Sequence, residues 1–286
     1  MERTNINKVY VVGTVEEVNT EVREGNGKKF ITGKVVIKVV DDNKKESLVE
    51  TKVLAFEKNK NGETSKVYTA FSRLDGYLGK RVRATCELRD DAMVRGDGTV
   101  THFNTIMLKF IGDARSEEVD AARFEFSGFV VKGLYERRNS QDELLGYRLE
   151  VAQQNYNGTN MNVIRFDIDK NDTSIASAIE ANYTLGATIQ FEGSISYTTT
   201  VETKVAEVAF GEATPKTYVK VDKTYRITAG NEPFDDDNPG TYTSDEIKNL
   251  VAAYKQADVD RIAKTKIANE EPVGSAAMNK LTRSLI

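Results

Sequence analysis

The stretch KKFITGKVVIKVV, residues 28–40, places one aromatic ring and two ammonium groups at even spacing. Its β-branched residues and period of two predict a strand in which Phe30, Lys34 and Lys38 share one face and branched apolar residues share the other. An aromatic ring stacks on a nucleobase, which contributes about 1–3 kcal/mol per base, and an ammonium group offsets phosphate charge. One face of this strand therefore carries chemistry that suits a single-stranded nucleic acid.

Further aromatic and basic residues extend this pattern. Lys52 and Phe56 fall on one face of the next predicted strand, SLVETKVLAFE, and the turns REGNGKK and EKNKNGETSK add flexible lysines. Arg81 and Arg83 share a face of a later strand, and Arg89 is expected to flank the loop that follows it. The candidate nucleic-acid contacts are Phe30, Lys34, Lys38, Lys52, Phe56, Lys58, Lys60, Arg81, Arg83, Arg89, Tyr135, Arg137 and Arg138. Weaker candidates are Tyr156, Arg165, Tyr197, Lys220 and Arg226. Each residue alone also fits an ordinary solvated strand or loop, so the prediction rests on the set.

Catalytic and metal-binding motifs are absent from the sequence. His102 is the single histidine and Cys86 the single cysteine, which leaves no common zinc constellation. The sequence contains neither a G-x-x-x-x-G-K-[ST] loop nor a G-x-G-x-x-G motif. Acidic pairs lie in predicted turns and lack an acid–base partner. We therefore expect a protein without enzymatic activity, cofactor or metal.

The charge is distributed unevenly along the chain. The net charge is -4 over 286 residues, but residues 1–115 carry +4, residues 116–230 carry -5 and residues 231–286 carry -3. A basic first part favours contact with a polyanion, although a lysine-rich solvated surface fits the same charge. One cysteine excludes an internal disulfide framework, and the sequence has neither a secretory signal nor an apolar run that could span a bilayer. These features predict a soluble intracellular protein.

Two parts of the chain repeat the same pattern of residue types. YLGKRVRATCEL contains Gly79, TLGATIQFEGSI contains Gly186, and alternating residues follow both glycines. These glycines are expected to end a short helix in the left-handed conformation. Gly13 and Gly128 lie in the first predicted strand of each repeat, where the strand must bend.

Each repeat predicts the order strand, strand, strand, short helix, strand, strand. That is the order of elements in an OB-fold, a five-stranded Greek-key barrel. The predicted fold class is mainly β, with two tandem OB-fold barrels at residues 1–115 and 120–230 and an acidic linker and helical tail at residues 231–286. Two generic antiparallel β-domains of unrelated topology are the alternative.

In its strand pattern over residues 5–230, the chain resembles the OB-fold single-stranded-DNA-binding proteins of bacteriophages. The resemblance implies a protein that coats and protects single-stranded DNA, largely independently of sequence, in phage-type replication, recombination or repair in the cytoplasm of a bacterial host. The chain has no tryptophan, on which the familiar bacterial single-strand binder stacks bases, so stacking falls to Tyr and Phe. Strand annealing is a further activity that the sequence does not separate from coating. From another class, a β-rich virion structural or assembly protein fits the same pattern.

The tail begins with a change in composition. NEPFDDDNPGTYTSDE is acidic and holds two of the four prolines, so it fits a linker, and it is also similar to the acidic tips with which bacterial single-strand binders recruit partners. Thr243 and Glu246 form a capping box before a helix predicted over residues 244–268, and a second short helix is predicted within residues 271–286. The tail is expected to pack onto the barrels, to mediate self-association or to dock replication or recombination proteins.

Overall fold

A computed structural model shows a mainly β chain and describes residues 5–156, 158–205 and 215–270. The first unit contains β1 (Asn7–Gly25), β2 (Lys28–Val40), β3 (Glu46–Phe56), α1 (Lys66–Phe71), β4 (Arg81–Val94) and β5 (Val100–Asp113). The second unit repeats this order with β6 (Ala121–Arg138), β7 (Leu144–Gln154), β8 (Met161–Asp169), α2 (Thr173–Asn182), β9 (Thr188–Val205) and β10 (Pro215–Gly230). Helix α3 (Ser244–Glu270) follows the second unit.

Each unit closes into a five-stranded barrel. In the first, β1 pairs antiparallel with β2 and β4, β2 pairs with β3, and β4 pairs with β5. A parallel contact between Lys52 of β3 and Met107 of β5 closes the ring. The second barrel has the same pairings among β6 to β10, and Asp167 of β8 meets Arg226 of β10 in parallel. This order and closure confirm the predicted pair of OB-fold barrels.

The two barrels share one sheet and one apolar core. β1 and β6 pair antiparallel from Asn7 opposite Phe126 to Val12 opposite Ala121, which joins the strands into a ten-stranded sheet. Buried side chains of both barrels form one continuous cluster. Strand pairing and apolar packing together therefore fix the position of one barrel relative to the other.

A second contact between the barrels overturns one weaker candidate. The backbone N–H of Tyr197 in β9 donates to Ser47 Oγ in β3 at 2.7 Å. The Tyr197 side chain is buried, and its hydroxyl lies 2.8 Å from the hydroxyl of Tyr225. Burial raises the pKa of Tyr197 well above its ordinary value. The expectation that Tyr197 contacts a ligand is therefore wrong, because its ring belongs to the core.

Glycines in the first strand of each barrel let a second strand cross closely. A Cβ atom at Gly13 would lie 2.2 Å from the carbonyl oxygen of Lys38, and one at Gly128 would lie 2.2 Å from the carbonyl oxygen of Ala152. No side chain fits at such a distance. The predicted role of these two glycines, in which the first strand bends to serve both sides of its barrel, agrees with this geometry.

The glycines of the repeated Leu-Gly pair have the expected left-handed conformation, but only Gly79 follows directly on a short helix. Gly79 and Gly186 adopt the left-handed conformation, with φ of 72° and 85°. A short 3-10 helix over Leu74–Tyr77, with its C-cap at Leu78, directly precedes Gly79, so Gly79 ends a short helix as expected. Helix α2 ends at Asn182, so Gly186 does not terminate it. The N–H of Gly79 donates to the carbonyl of Val15, and that of Gly186 to the carbonyl of Val130, each at 2.9 Å. The two turns therefore tie the start of the fourth strand to the first strand in both barrels.

The segment between β10 and α3 packs on the second barrel. The N–H of Phe234 donates to the carbonyl of Thr188 at 2.8 Å, and the N–H of Tyr242 donates to Thr188 Oγ1 at 2.9 Å. Tyr242 is buried, and its ring lies 4.7 Å from the ring of Phe129 between centroids. Residues 234 and 242 of the predicted linker are therefore held against the second barrel by hydrogen bonds and ring packing.

Helix α3 packs against both barrels. It begins with the predicted capping box, in which the N–H of Glu246 donates to Thr243 Oγ1 at 3.3 Å and the N–H of Thr243 donates to Glu246 Oε2 at 2.8 Å. Leu250 is buried against the second barrel. Packing onto the barrels, one of the three roles expected for the tail, is confirmed for this helix. The second helix predicted within residues 271–286 lies outside the described residues. Neither α3 nor another described helix has the length and apolar content of a membrane span.

A partly buried polar cluster joins α3 to both barrels. Asp90 of β4 accepts hydrogen bonds from Arg165 Nη1 of β8 at 3.1 Å and from the hydroxyl of Tyr254, and one of its carboxylate oxygens lies 3.0 Å from His102 Nδ1 of β5. His102 Nε2 lies 2.9 Å from a carboxylate oxygen of Asp258 in α3. Burial raises the pKa of Tyr254, and its hydrogen bond to Asp90 raises it further. The single histidine thus has the structural role that the sequence indicated.

We expect Gly128→Ala to lower the free energy of unfolding by about 3 kcal/mol, because the added methyl group would overlap the backbone of β7. Gly133→Ala is the matched control in the same strand, since a Cβ there meets no atom within 4 Å. Its effect should stay within about 0.5 kcal/mol. Urea unfolding followed by circular dichroism measures both values. Equal losses in the two variants would show that the close crossing at Gly128 does not constrain the barrel.

Candidate nucleic-acid interface

Two loops of the first barrel enclose a basic cavity. The β1–β2 hairpin turns at Asn26 and Gly27, which both have positive φ of 51° and 66°. The loop after β3 lies opposite this hairpin. The cavity has a volume of about 760 Å³ and is lined by Glu24, Gly27, Lys28, Lys29, Phe56, Glu57, Lys58, Asn59 and Lys60. Four lysines against two glutamates give the cavity a net positive charge, which favours contact with a polyanion.

An aromatic pair lies at the edge of this cavity. Phe56 is 46% exposed, and its partner across the β2–β3 ladder is the half-buried Phe30. Their ring centroids lie 5.6 Å apart at an angle of 48°. Phe30 therefore supports the ring of Phe56, whose remaining surface faces solvent. The opposite faces of the two strands are buried, for example at Val35 and Val53, as the alternation predicts.

The other predicted lysines of β2 and β3 lie on the same outer face, but each faces a carboxylate. The hydrogen bond to Glu16 raises the pKa of Lys38 above its ordinary value. Pairs with this degree of exposure are each worth about 0–1 kcal/mol, so a phosphate group can replace the carboxylate at little cost. The ion pairs are Lys34–Glu17 at 3.1 Å, Lys38–Glu16 at 2.8 Å and Lys52–Asp91 at 2.5 Å.

A second, larger cavity lies in the cleft between the barrels. Its volume is about 1320 Å³, and it is lined by Asn5, Asn7, Lys60, Glu87, Arg89, Lys109, Gln153, Gln154, Asn155, Tyr156, Gly158 and Asn162. Lys60 lines both cavities, so the basic surface is continuous from one to the other. Tyr156 at the mouth is 94% exposed, and Lys60 Nζ lies 5.5 Å from the centre of its ring.

Arg89 lies inside β4, which extends to Val94, and not beside the loop as expected. Its guanidinium pairs with Glu87, which also pairs with Lys109 Nζ at 3.1 Å. Sequence reasoning did not single out Lys109. A β-bulge between Thr85 and Cys86 leaves it between paired positions of β5, and the alternation of residues gives no signal for such a bulge.

The structure does not bring Arg81 and Arg83 into either cavity. Arg81 pairs with Asp120 at 2.9 Å, and Arg83 pairs with Glu118 at 3.0 Å. Both carboxylates belong to the segment that connects the barrels. Hydrogen bonds from the backbone of Arg115 and from Arg83 lower the pKa of Glu118. These arginines thus hold the connecting segment against β4, and their contact with nucleic acid stays a prediction.

The predicted contacts of the second barrel are engaged with acidic residues. Tyr135 donates to a carboxylate oxygen of Glu150 at 2.7 Å, and burial followed by this bond raises the pKa of Tyr135 to about 12. Arg137 pairs with the buried Asp167 at 2.6 Å. The more exposed Arg138 pairs with Glu136 at 2.8 Å. The weaker candidates Arg165 and Arg226 pair with Asp90 and Asp172. Less free positive charge remains here than on the first barrel.

Comparison with known families gives one match that covers most of the chain: the YorF family model matches residues 5–265. The chain belongs to the YorF family. A comparison with curated proteins gives no match. Among solved structures, this YorF-family chain is similar to the wild-type single-stranded DNA binding protein from Thermus aquaticus, with a TM-score of 0.52, 10% identity, and coverage of 82% of this chain and 96% of that chain. A deletion mutant of the same Thermus aquaticus protein gives a TM-score of 0.49, 12% identity, and coverage of 82% and 98%. At such low identity the likeness shows the fold, which is that of an OB-fold protein.

We expect Arg137→Ala to lower the free energy of unfolding by about 1–3 kcal/mol, because it removes a charged partner of the buried Asp167. Arg138→Ala removes an equal charge from an exposed pair and should change stability by less than about 0.5 kcal/mol. Thermal and urea unfolding of the two variants provide the comparison. A similar small effect in both would mean that Arg137 is as free to meet a ligand as Arg138.

Proposed function

We propose that the chain binds single-stranded DNA along a path that starts in the cavity of the first barrel and continues into the cleft between the barrels. The observation that carries this proposal is the cavity in which Lys28, Lys29 and Lys58 surround the exposed ring of Phe56. OB-folds bind oligonucleotides on the face of strands two and three and with the adjoining loops, which is where this cavity lies. Similarity in fold to the Thermus aquaticus single-stranded DNA binding protein supports the same function.

Two forces would hold the strand on this path. Phosphate groups would contact the lysines and release condensed counterions, which makes binding dependent on salt. Phe56 would stack on a base, and that requires a base whose face is not already covered by its neighbours in a duplex. Single strands should therefore bind more tightly than duplex DNA. Neither phosphate contacts nor stacking distinguish one base from another, so the path binds single strands of any base sequence.

The biological role that follows is to coat and protect single-stranded DNA in phage-type replication, recombination or repair, within a bacterial host. This part of the proposal is supported by the resemblance in strand pattern and by the basic path. The proposed domains, residues 1–115, 120–230 and 231–286, would have unequal roles, with the first barrel as the main binding surface. Contacts with replication or recombination proteins through residues 231–286 have less support, because Phe234, Tyr242 and Leu250 hold part of this segment against the second barrel.

We expect the double variant Lys58→Gln, Lys60→Gln to reduce the slope of log K against log salt by about 1.4, since each phosphate contact on a single strand contributes about 0.7. Fluorescence anisotropy of labelled oligo-dT over a range of salt concentrations measures this slope. Lys248→Gln with Lys255→Gln makes the same charge change on exposed positions of α3 and should leave the slope unaltered. If the wild-type protein at micromolar concentration and low salt binds neither oligo-dT, oligo-U nor duplex DNA, the proposal fails and an assembly protein is the better account.

We expect Phe56→Ala to weaken binding of oligo-dT by about 1–3 kcal/mol through loss of one stacking contact. Phe56→Tyr keeps a ring and should retain most of the affinity. Phe110→Ala serves as the control, because Phe110 is 60% exposed on β5 and lines neither cavity. The same anisotropy titration gives all three affinities. Stacking at Phe56 would be refuted by an equal loss in the Phe56→Ala and Phe110→Ala variants.

A further inference from the structure

The cleft between the barrels differs from the first cavity in the chemistry of its lining. Half of the lining residues carry carboxamides, namely Asn5, Asn7, Gln153, Gln154, Asn155 and Asn162. A carboxamide presents a hydrogen-bond donor and an acceptor side by side. This pattern complements the edge of a nucleobase, as in the pairing of Asn or Gln with adenine. A path that only follows the phosphate backbone has no need of such groups.

Two of these carboxamides are bound to backbone groups, within the first barrel for Asn7 and between the barrels for Gln153. Asn7 donates from Nδ2 to the carbonyl of Leu88 and accepts from the N–H of Leu88, each at 2.8 Å. Gln153 donates from Nε2 to the carbonyl of Ile6 at 2.9 Å and to the carbonyl of Ser127 at 2.8 Å. These two side chains are therefore bonded to the protein backbone and are not available to a ligand.

Three others keep free hydrogen-bonding capacity. Asn155 Oδ1 accepts from the N–H of Asn160 at 3.2 Å, which leaves its Nδ2 donors for a ligand. Gln154 Nε2 donates to the carbonyl of Gly158 at 3.0 Å, which leaves its Oε1 acceptor. Within the described residues, the side chain of Asn162 has no hydrogen-bond partner, and it lines the cleft. Both donors and acceptors are thus available there.

The mouth of the cleft supplies the other contacts that a nucleotide needs. Tyr156 follows Asn155 in the chain and projects its ring into solvent, where a base can stack on it. Lys60 lies over that ring, and Arg89 and Lys109 line the same cleft. A base on Tyr156 would therefore have cations within reach of its phosphate groups.

We propose that the cleft is a nucleobase-binding subsite, in which one base of the bound strand stacks on Tyr156 and directs its edge to the carboxamides of Asn155 and Asn162. The inference rests on the proposed function and deepens it. The first barrel holds any strand, and the cleft adds a preference for one type of base at one position. Binding should then depend on base composition, which the strand path alone does not explain.

The test compares the affinities of labelled oligo-dT, oligo-dA and oligo-dC at one salt concentration. Because a good base-edge contact is worth about 1–3 kcal/mol, the wild-type protein should bind the preferred oligomer at least about fivefold more tightly than the least preferred. Asn162→Ala should reduce this ratio to below about twofold and leave the affinity for the least preferred oligomer unchanged. Asn171→Ala, an exposed asparagine of the same barrel outside the cleft, should keep the wild-type ratio.

Tyr156→Ala should weaken binding of all three oligomers by about tenfold, because stacking does not distinguish bases. If the ratio of affinities for the preferred and the least preferred oligomer is unchanged in Asn162→Ala, the proposed nucleobase-binding subsite is wrong and the proposed function stays intact. Failure of all three oligomers to bind would overturn both. If a deoxynucleoside monophosphate binds at micromolar concentration while the oligomer stays bound, the occupant is a free nucleotide, and the assignment to a strand is wrong.

Discussion

The antiparallel pairing of β1 with β6 is the interaction on which the rest of the molecule depends. It fixes the distance and the angle between the barrels, so the cleft between them has a defined width. The polar cluster around Asp90 and His102 forms only because β4, β5, β8 and α3 meet at this junction. A flexible tether between the same two barrels would leave neither a shaped cleft nor this polar cluster.

Most of the architecture within each barrel follows from local sequence. Alternation of side chains gives the strands, and Gly13 and Gly128 mark where one strand crosses another, because the tight approach excludes any Cβ atom. Phe56 and the loop lysines Lys58 and Lys60 were also predicted as candidate contacts, because strand alternation and turn residues place aromatic and basic side chains together at the ends of β2 and β3. The aromatic ring and the lysines that line the first cavity could therefore be predicted from the sequence.

Contacts between segments that lie far apart in the chain could not be predicted from local sequence. Nothing in the local pattern of β1 indicates that it pairs with β6, and the bulge that presents Lys109 leaves no trace in the residue types. The carboxylate partners of Lys34 and Lys52 come from other strands, so their neutralisation depends on strand register. Candidate contacts selected by residue type alone include such paired groups, for example Arg137 on the buried Asp167.

The shared edge of β1 also has a consequence for synthesis of the chain. Residues 9–12 of β1 pair with β4 on one side and with β6 on the other. When the first barrel emerges from the ribosome, its strands can close, but this edge of β1 remains unpaired until residues 121–126 follow. An open strand edge is a template for pairing with other chains. The nascent protein thus passes through a stage in which a neighbouring polypeptide can take the place of its own second barrel.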